Sequence, residues 1–327
     1  MTAAQRLREA SAQHQAQARA ALAAALRGSR LKVGIVEARP PARPAGWDPR
    51  IYAISPANVD FLSSIGIWQH LDTQRLAPVY DMEIHGDAGG RLDFSAYDCG
   101  LRELAWILES SQMQLELWET VKRQHNVNLL CPAAPSALAI DADAARLTLA
   151  DGRQLEARLI VAADGRDSWV RQAAGIGARN TPYEEKGIVA NFRCEKPHRN
   201  TAIQWFRKDG VLAYLPLPGE YMSMVWSAPD ALADELVGLA PEALAARVGE
   251  AAEGVHHPLL QPGIEARGGL VEEEERGIGE QLGGDAHPLA LPAGELIDPL
   301  VGVRAHVDVV EHARDPLGDL GAVGVGG

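Results

Sequence analysis

Helical spacing comes first along the chain. The Ala-, Gln- and Arg-rich stretch 2–27 contains Ala20 to Leu26, a run of strong helix formers that closes on Gly28. A short apolar run follows, Leu31-Lys32-Val33-Gly34-Ile35-Val36, and ends in Glu37. Helix followed by apolar strand is the order of a parallel α/β sheet. Residues 38–49 are predicted to be loop, because Pro40, Pro41, Pro44 and Pro49 each remove a backbone donor and fix φ. Helical spacing resumes from Asn58 to Leu71. A longer helix is predicted from Glu109 to Asn126, with Leu115, Leu117, Trp118 and Val121 on one face.

Further on the period shortens to two. Ala145 to Leu149 and Leu155 to Ala162 read as strands joined by Asp151-Gly152, a strong hairpin signal. Between Gly187 and Trp226 the alternating segments Ile188 to Arg193, Ala202 to Phe206, Val211 to Leu217 and Met222 to Trp226 predict a second, antiparallel layer with one face toward the first. After Gly254 neither period persists, and Glu272 to Glu275 form a like-charge run. The segment 253–327 is therefore expected to be irregular.

The charge supports that division. The 327 residues carry a net −13, but from Ser227 onward there are 5 Arg and no Lys against 19 acidic residues, a balance of −14 that leaves +1 for the rest. The same stretch has no aromatic residue and holds 17 of the 32 glycines, so it has little to bury against the entropy of ordering. No run approaches the roughly 18 apolar residues of a membrane span, and no secretory layout opens the chain, which points to a cytoplasmic protein. Cys99, Cys131 and Cys194 lack metal or disulfide spacing, and His256, His257, His306 and His312 form no ligand set, so no metal is expected. Nothing suggests nucleic-acid binding.

The run with most chemical content is Leu159-Ile160-Val161-Ala162-Ala163-Asp164-Gly165-Arg166-Asp167-Ser168-Trp169-Val170-Arg171. An apolar strand would deliver an acidic residue and a glycine onto a turn whose helix begins near Ser168. Such a turn can offer backbone N–H groups and a carboxylate to a dinucleotide at the carboxyl ends of strands. It can equally be an ordinary turn with a capped helix.

This run resembles the second flavin-and-nicotinamide fingerprint of class A flavoprotein monooxygenases. Four further segments are similar, in order, to the ubiquinone-biosynthesis hydroxylases of that class: Asp48 to Asn58 with Phe61-Leu62 and Ile65 to Trp68, then Glu103 to Glu109, then Ala202 to Phe206, then Gly210 to Leu217 closing with Val225 to Ser227. The resemblance covers residues 20–252. It implies an α/β fold in which a Rossmann-like FAD/NAD(P)-binding sheet (1–180) is followed by an inserted antiparallel β substrate domain (181–252), with 253–327 atypical. It implies FAD as cofactor, NAD(P)H as co-substrate, and hydroxylation of the ring of a polyprenylated phenol or quinone precursor, with peripheral contact at the inner face of the membrane where that substrate resides. The implied cofactor-binding residues are Glu37 for the adenosine ribose, Arg50 near the flavin, and Asp164, Gly165, Ser168 and Arg171. No catalytic acid or base can be named.

Two departures stand against these matches. Aligning Ala20 to Glu37 with the family's first helix and strand puts His14, Ala16 and Arg19 where a G-x-G-x-x-G turn brings backbone close to the pyrophosphate. Gly284-Asp285-Ala286-His287 with Pro292-Ala293-Gly294 is only a partial echo of the third fingerprint, and no apolar strand leads into it. The fold is thus expected to be incomplete at both ends, with FAD bound poorly. Two alternatives remain: a truncated or frame-shifted remnant of such an enzyme, or a flavoprotein hydroxylase of a soluble aromatic acid.

Overall fold

A computed structural model describes residues 17–44, 46–165, 167–178, 180–253 and 271–278. His14, Ala16, the histidines after position 255 and the Gly284 segment lie outside these residues.

The chain opens with helix α1 (17–25), then β1 (Val33–Val36), β2 (Ile51–Ile54), α2 (Pro56–Ser64), β3 (Ala77–Val79), β4 (Asp81–His85), β5 (Arg91–Ser95), β6 (Ala105–Glu109) and α3 (Ser110–Lys122). There follow β7 (Val127–Leu130), β8 (Pro135–Ile140), β9 (Ala145–Leu149), β10 (Gln154–Ala157) and α4 (Trp169–Ala173). Then come β11 (Asn180–Arg193), β12 (Thr201–Arg207), β13 (Gly210–Pro216), β14 (Tyr221–Pro229), α5 (Asp230–Val237), α6 (Pro241–Glu253) and β15 (Val271–Ile278).

These strands make a parallel pair β1-β7, a three-stranded β2-β6-β3 sheet, a β10-β9-β8 meander and a seven-stranded sheet ordered β15-β11-β14-β13-β12-β4-β5. The large sheet is antiparallel from β15 to β12, as the alternation required, and recruits β4 in parallel beside β12. Because the side-chain period is two, Ile188, Phe192, Met224, Trp226, Leu212 and Tyr214 fall on one face, where they bury against α5 and α6. The Tyr214 hydroxyl donates to the Val248 carbonyl across that interface, 3.1 Å away. The opposite face sends Ala202, Leu215 and Val225 against Val79, Ile107 and Ile51 of the β2-β6-β3 sheet. A third cluster packs α1 and α2 onto β1, β2 and α3.

Four expectations need correction. The strand from Leu155 stops at Ala157, and residues 158–163 carry no ladder. Among the described residues no strand lies beside this run, and an apolar sequence without a neighbour cannot pair its backbone. The helix expected from Glu109 to Asn126 runs from Ser110 to Lys122, because Glu109 is the last residue of β6; of the expected face it buries Leu117 and Val121, joined by Met113, while Leu115 and Trp118 are half-buried. The helix expected to reach Leu71 ends at Ser64, where Gly66 (φ 78°) turns the chain into the short 3-10 helix Trp68–His70. Within the segment expected to be irregular, residues 271–278 form β15, an edge strand whose ladder to β11 supplies order that composition does not reveal.

Candidate functional site

Glu37 follows directly on β1, and its backbone extends the pairing to β7: its N–H donates to the Leu130 carbonyl (3.0 Å) and its carbonyl accepts from Ala133 (2.8 Å). The side chain therefore sits at a parallel strand's carboxyl end, where dinucleotide riboses are bound in open α/β sheets. Its carboxylate is already engaged. Arg19, on the first turns of α1, places its guanidinium on Oε2, and the Arg39 N–H donates to Oε1 at 3.2 Å. Beside it, Cys131 has its thiol pushed up by burial and by the Glu37 charge.

Asp164 lies beyond the irregular 158–163 run. Its Oδ1 accepts from the Ser168 hydroxyl (2.5 Å), its Oδ2 accepts from Val170 N–H (3.0 Å), and Ser168 Oγ in turn accepts from Arg171 N–H (2.9 Å). Two side chains thus satisfy the free N–H groups that open α4. Gly165 adopts φ 84°, the left-handed region that makes glycine the fitting residue at this turn. The Glu37 and Asp164 elements meet through an apolar cluster in which Val36, Ile160 and Trp169 pack against Leu130 and Leu147. The elements that carry Glu37 and Asp164 are therefore joined through packing rather than through one sheet.

Arg50 is buried in the loop entering β2. Around it stands a network that the sequence did not announce. Asp48 accepts from Arg50 N–H (3.0 Å) and from Ser111 N–H (2.9 Å), capping α3, while Glu109 accepts from Asp48 N–H (2.6 Å) and from Arg75 Nη2 (2.6 Å). The Arg75 guanidinium also lies 4.8 Å from the centre of the Trp47 ring. Gln17 donates to the Ser110 carbonyl (2.8 Å) and accepts from the Tyr52 hydroxyl (2.9 Å), which ties α1 to α3 and β2. The one available signal was a carboxylate at the end of the apolar run Ala105 to Leu108. Arg43, Arg75, Asp72, Ser111, Gln112 and Glu116 line a shallow cleft over this network.

Comparison with known proteins adds lineage to geometry. The chain is 34% identical over 225 residues to ubiquinone hydroxylase UbiL of Rhodospirillum rubrum, covering 68% of this chain and 52% of that protein. It is 32% identical over 179 residues to the 3-demethoxyubiquinol 3-hydroxylase of Escherichia coli, covering 55% and 46%. By sequence it is a relative of the ubiquinone-biosynthesis hydroxylases. The mouse mitochondrial ubiquinone biosynthesis monooxygenase COQ6 extends that group at 31% identity over 220 residues, 64% of this chain and 46% of its own. The chain thus spans about half the length of the curated hydroxylases it matches. It matches no family model. Among solved structures, PqsL, described as "a probable FAD-dependent monooxygenase from Pseudomonas aeruginosa", superposes with a TM-score of 0.57 at 23% identity, over 70% of this chain and 63% of its own. The flavin-dependent monooxygenase PieE, solved with FAD and substrate, gives 0.58 at 16%, over 81% and 48%. Both establish that the fold is that of the flavin monooxygenases, Rossmann-like with an added β layer.

FAD is the cofactor of these neighbours, and the residues present can be tested against it. An adenosine ribose needs the Glu37 carboxylate as acceptor, and that carboxylate is bound by Arg19 and by the Arg39 N–H. As arranged, Glu37 is held by Arg19, and a ribose at the end of β1 would have to displace that contact.

Proposed function

We propose that this chain carries the substrate sheet and part of the flavin-binding layer of an FAD-dependent hydroxylase. It would act with NAD(P)H and oxygen on the ring of a polyprenylated phenol or quinone precursor. The observation that carries this reading is the identity to two hydroxylases of ubiquinone metabolism, 34% and 32%, on a flavin-monooxygenase fold. The proposed division is a flavin domain over 1–180, a substrate domain over 181–252 and an atypical segment after it, with β4 and β5 lent from the first to the substrate sheet. Arg50, Asp164, Gly165, Ser168 and Arg171 are proposed to line the cofactor site, together with Glu37 once Arg19 releases it.

Peripheral membrane contact belongs to the same reading. No described helix is long and apolar enough to cross a membrane. Leu92 and Phe94 on β5, with Tyr97 and Leu101 shortly after it, are exposed apolar side chains proposed to make that contact. Flotation with phospholipid vesicles should carry the protein upward, and Phe94→Ser with Leu92→Ser should abolish that; an unaltered double variant would remove this patch from the proposal.

The second reading, a remnant without hydroxylase activity, is favoured by the Arg19–Glu37 pair. Incubation with FAD, NADPH and a short-chain phenolic quinone precursor, followed by mass analysis, separates the two. Product heavier by one oxygen supports the hydroxylase; NADPH left unoxidised under saturating FAD supports the remnant.

A further inference from the structure

The seven-stranded sheet ends on β5, and its outer edge lacks the devices that keep sheet edges apart, which are proline, lysine and bulges. β5 has no proline or lysine, and it pairs with β4 without a bulge over all 5 of its residues. It leaves Leu92 61% and Phe94 45% exposed.

The backbone at that edge has a fixed polarity. Gly86 N–H donates to the Gly90 carbonyl (2.8 Å) and Ala96 N–H to the Tyr80 carbonyl (2.8 Å), at the two ends of the β4–β5 ladder. Hydrogen-bonding groups alternate in direction along an antiparallel strand, so Leu92 and Phe94 turn theirs toward β4, and Arg91 and Asp93 turn theirs outward. Among the described residues no strand lies beyond them. A strand arriving at this edge must bond to Arg91 and Asp93.

The side chains say which strand that is. His85 lies opposite Arg91, and Glu83 lies opposite Asp93, so the rim of the sheet carries one row of nitrogen bases and one of carboxylates. Like charges directly opposite each other are unfavourable, and Arg91 relieves them from the neighbouring row, 2.8 Å from Asp93 and 3.4 Å from Glu83. A second β5, related by a two-fold axis at Leu92, brings the basic row of each copy against the acidic row of the other. Arg91 then faces Asp93 of the second copy, and the outward N–H and carbonyl groups of both are answered. Leu92 meets its own counterpart in a non-hydrogen-bonded pair, where Cα atoms approach to about 4.5 Å. Phe94 falls opposite Gly90, which has no side chain to clash. Registers centred on Arg91 or Asp93 set like charges face to face, and those centred between residues align outward amides with inward ones.

We infer that β5 is a self-pairing edge, through which two copies of this chain join their large sheets into one. The pairing is isologous and does not rest on the hydroxylase reading. It puts Leu92 and Phe94 of both copies on one face, so it extends the surface proposed for membrane contact.

Sedimentation velocity of the full chain in lipid-free buffer, between about 1 and 300 µM, tests this. A strand pair this short lies at the small end of protein interfaces, and a dissociation constant of about 10–100 µM is expected. Asp93→Arg and Arg91→Asp should each weaken the dimer at least about tenfold, because each makes the edge single-signed. An equimolar mixture of the two variants should dimerise again, the basic edge of one meeting the acidic edge of the other; circular dichroism confirms that each is folded. With the exposed Cys99 replaced by serine, Leu92→Cys should oxidise to a covalent dimer. Phe94→Cys should not, since that pair would stand about 14 Å apart. A wild type that stays monomeric throughout would overturn the inference. So would single variants that dimerise like the wild type, folded variants that stay monomeric when mixed, or equal cross-linking at positions 92 and 94.

Discussion

Glu109 ends β6, accepts from Asp48 N–H and holds Arg75, all with one carboxylate that burial discourages from ionising. Burial is the largest influence on its pKa and raises it above 4.5, outweighing the hydrogen bonds from Arg75 and Asp48 that lower it. The folded protein therefore holds that proton more tightly than the unfolded chain does. The stabilisation is fully present below the unfolded value and is lost as pH rises through the folded one, at no more than about 1.4 kcal/mol per pH unit. Urea midpoints of the wild type and Glu109→Gln, compared between about pH 4 and pH 7, should show the wild type losing ground as pH rises. A difference that moves the other way would mean that the Arg75 attraction dominates. Periodicity could not foresee this residue: the pattern assigned it to a helix, and no pattern of apolar positions reveals that a strand-end carboxylate is buried against an arginine 34 positions away.

Elements built on local signals were legible, and those that depend on a distant neighbour were not. The Asp151-Gly152 hairpin and the strands β11 to β14 followed from turn chemistry and a period of two, both written within a few residues. Leu159 to Ala162 carried the same apolar composition yet forms no strand, since a strand exists only beside another. β15 is the reverse case, a like-charge run ordered by the edge it joins. Gly210 shows how tightly the legible part is built. It starts β13 at φ 117°, and a Cβ there would lie 1.9 Å from the Ser227 carbonyl oxygen on β14. Gly219, at φ 77° with open space around it, carries only the conformational demand. Gly210→Ala should cost on the order of 3 kcal/mol, and Gly219→Ala about 1–2 kcal/mol, in urea unfolding. Equal costs would show that β14 moves aside freely.

Across the whole molecule, the proposed cofactor site depends on whether a dinucleotide can reach the end of β1, to which Arg19 ties α1. Arg19 ties that helix to Glu37, while Gln17 ties it to Ser110 and Tyr52, so α1 is held at once by β1, β2 and the start of α3. The sequence showed that an arginine stands where a glycine was due. Only the fold shows that its guanidinium reaches the very carboxylate assigned to the ribose. Both side chains are partly exposed, so solvent screens the pair and holds its worth near 1 kcal/mol. An incoming ribose must nevertheless displace it, in addition to finding room for its phosphates. The wild type should therefore bind FAD weakly, and Arg19→Ala should tighten binding several-fold, whereas Glu37→Ala should not, because it removes the acceptor along with the competitor. Flavin fluorescence gives the affinities, and alkylation of Cys131, next to Glu37, reports where the ligand sits. FAD that protects Cys131 in Arg19→Ala but not in the wild type is the expected pattern. Tight binding to the wild type, unaffected by Arg19→Ala, would show that the ribose takes another route and that the Arg19–Glu37 pair is a structural contact with no bearing on the cofactor.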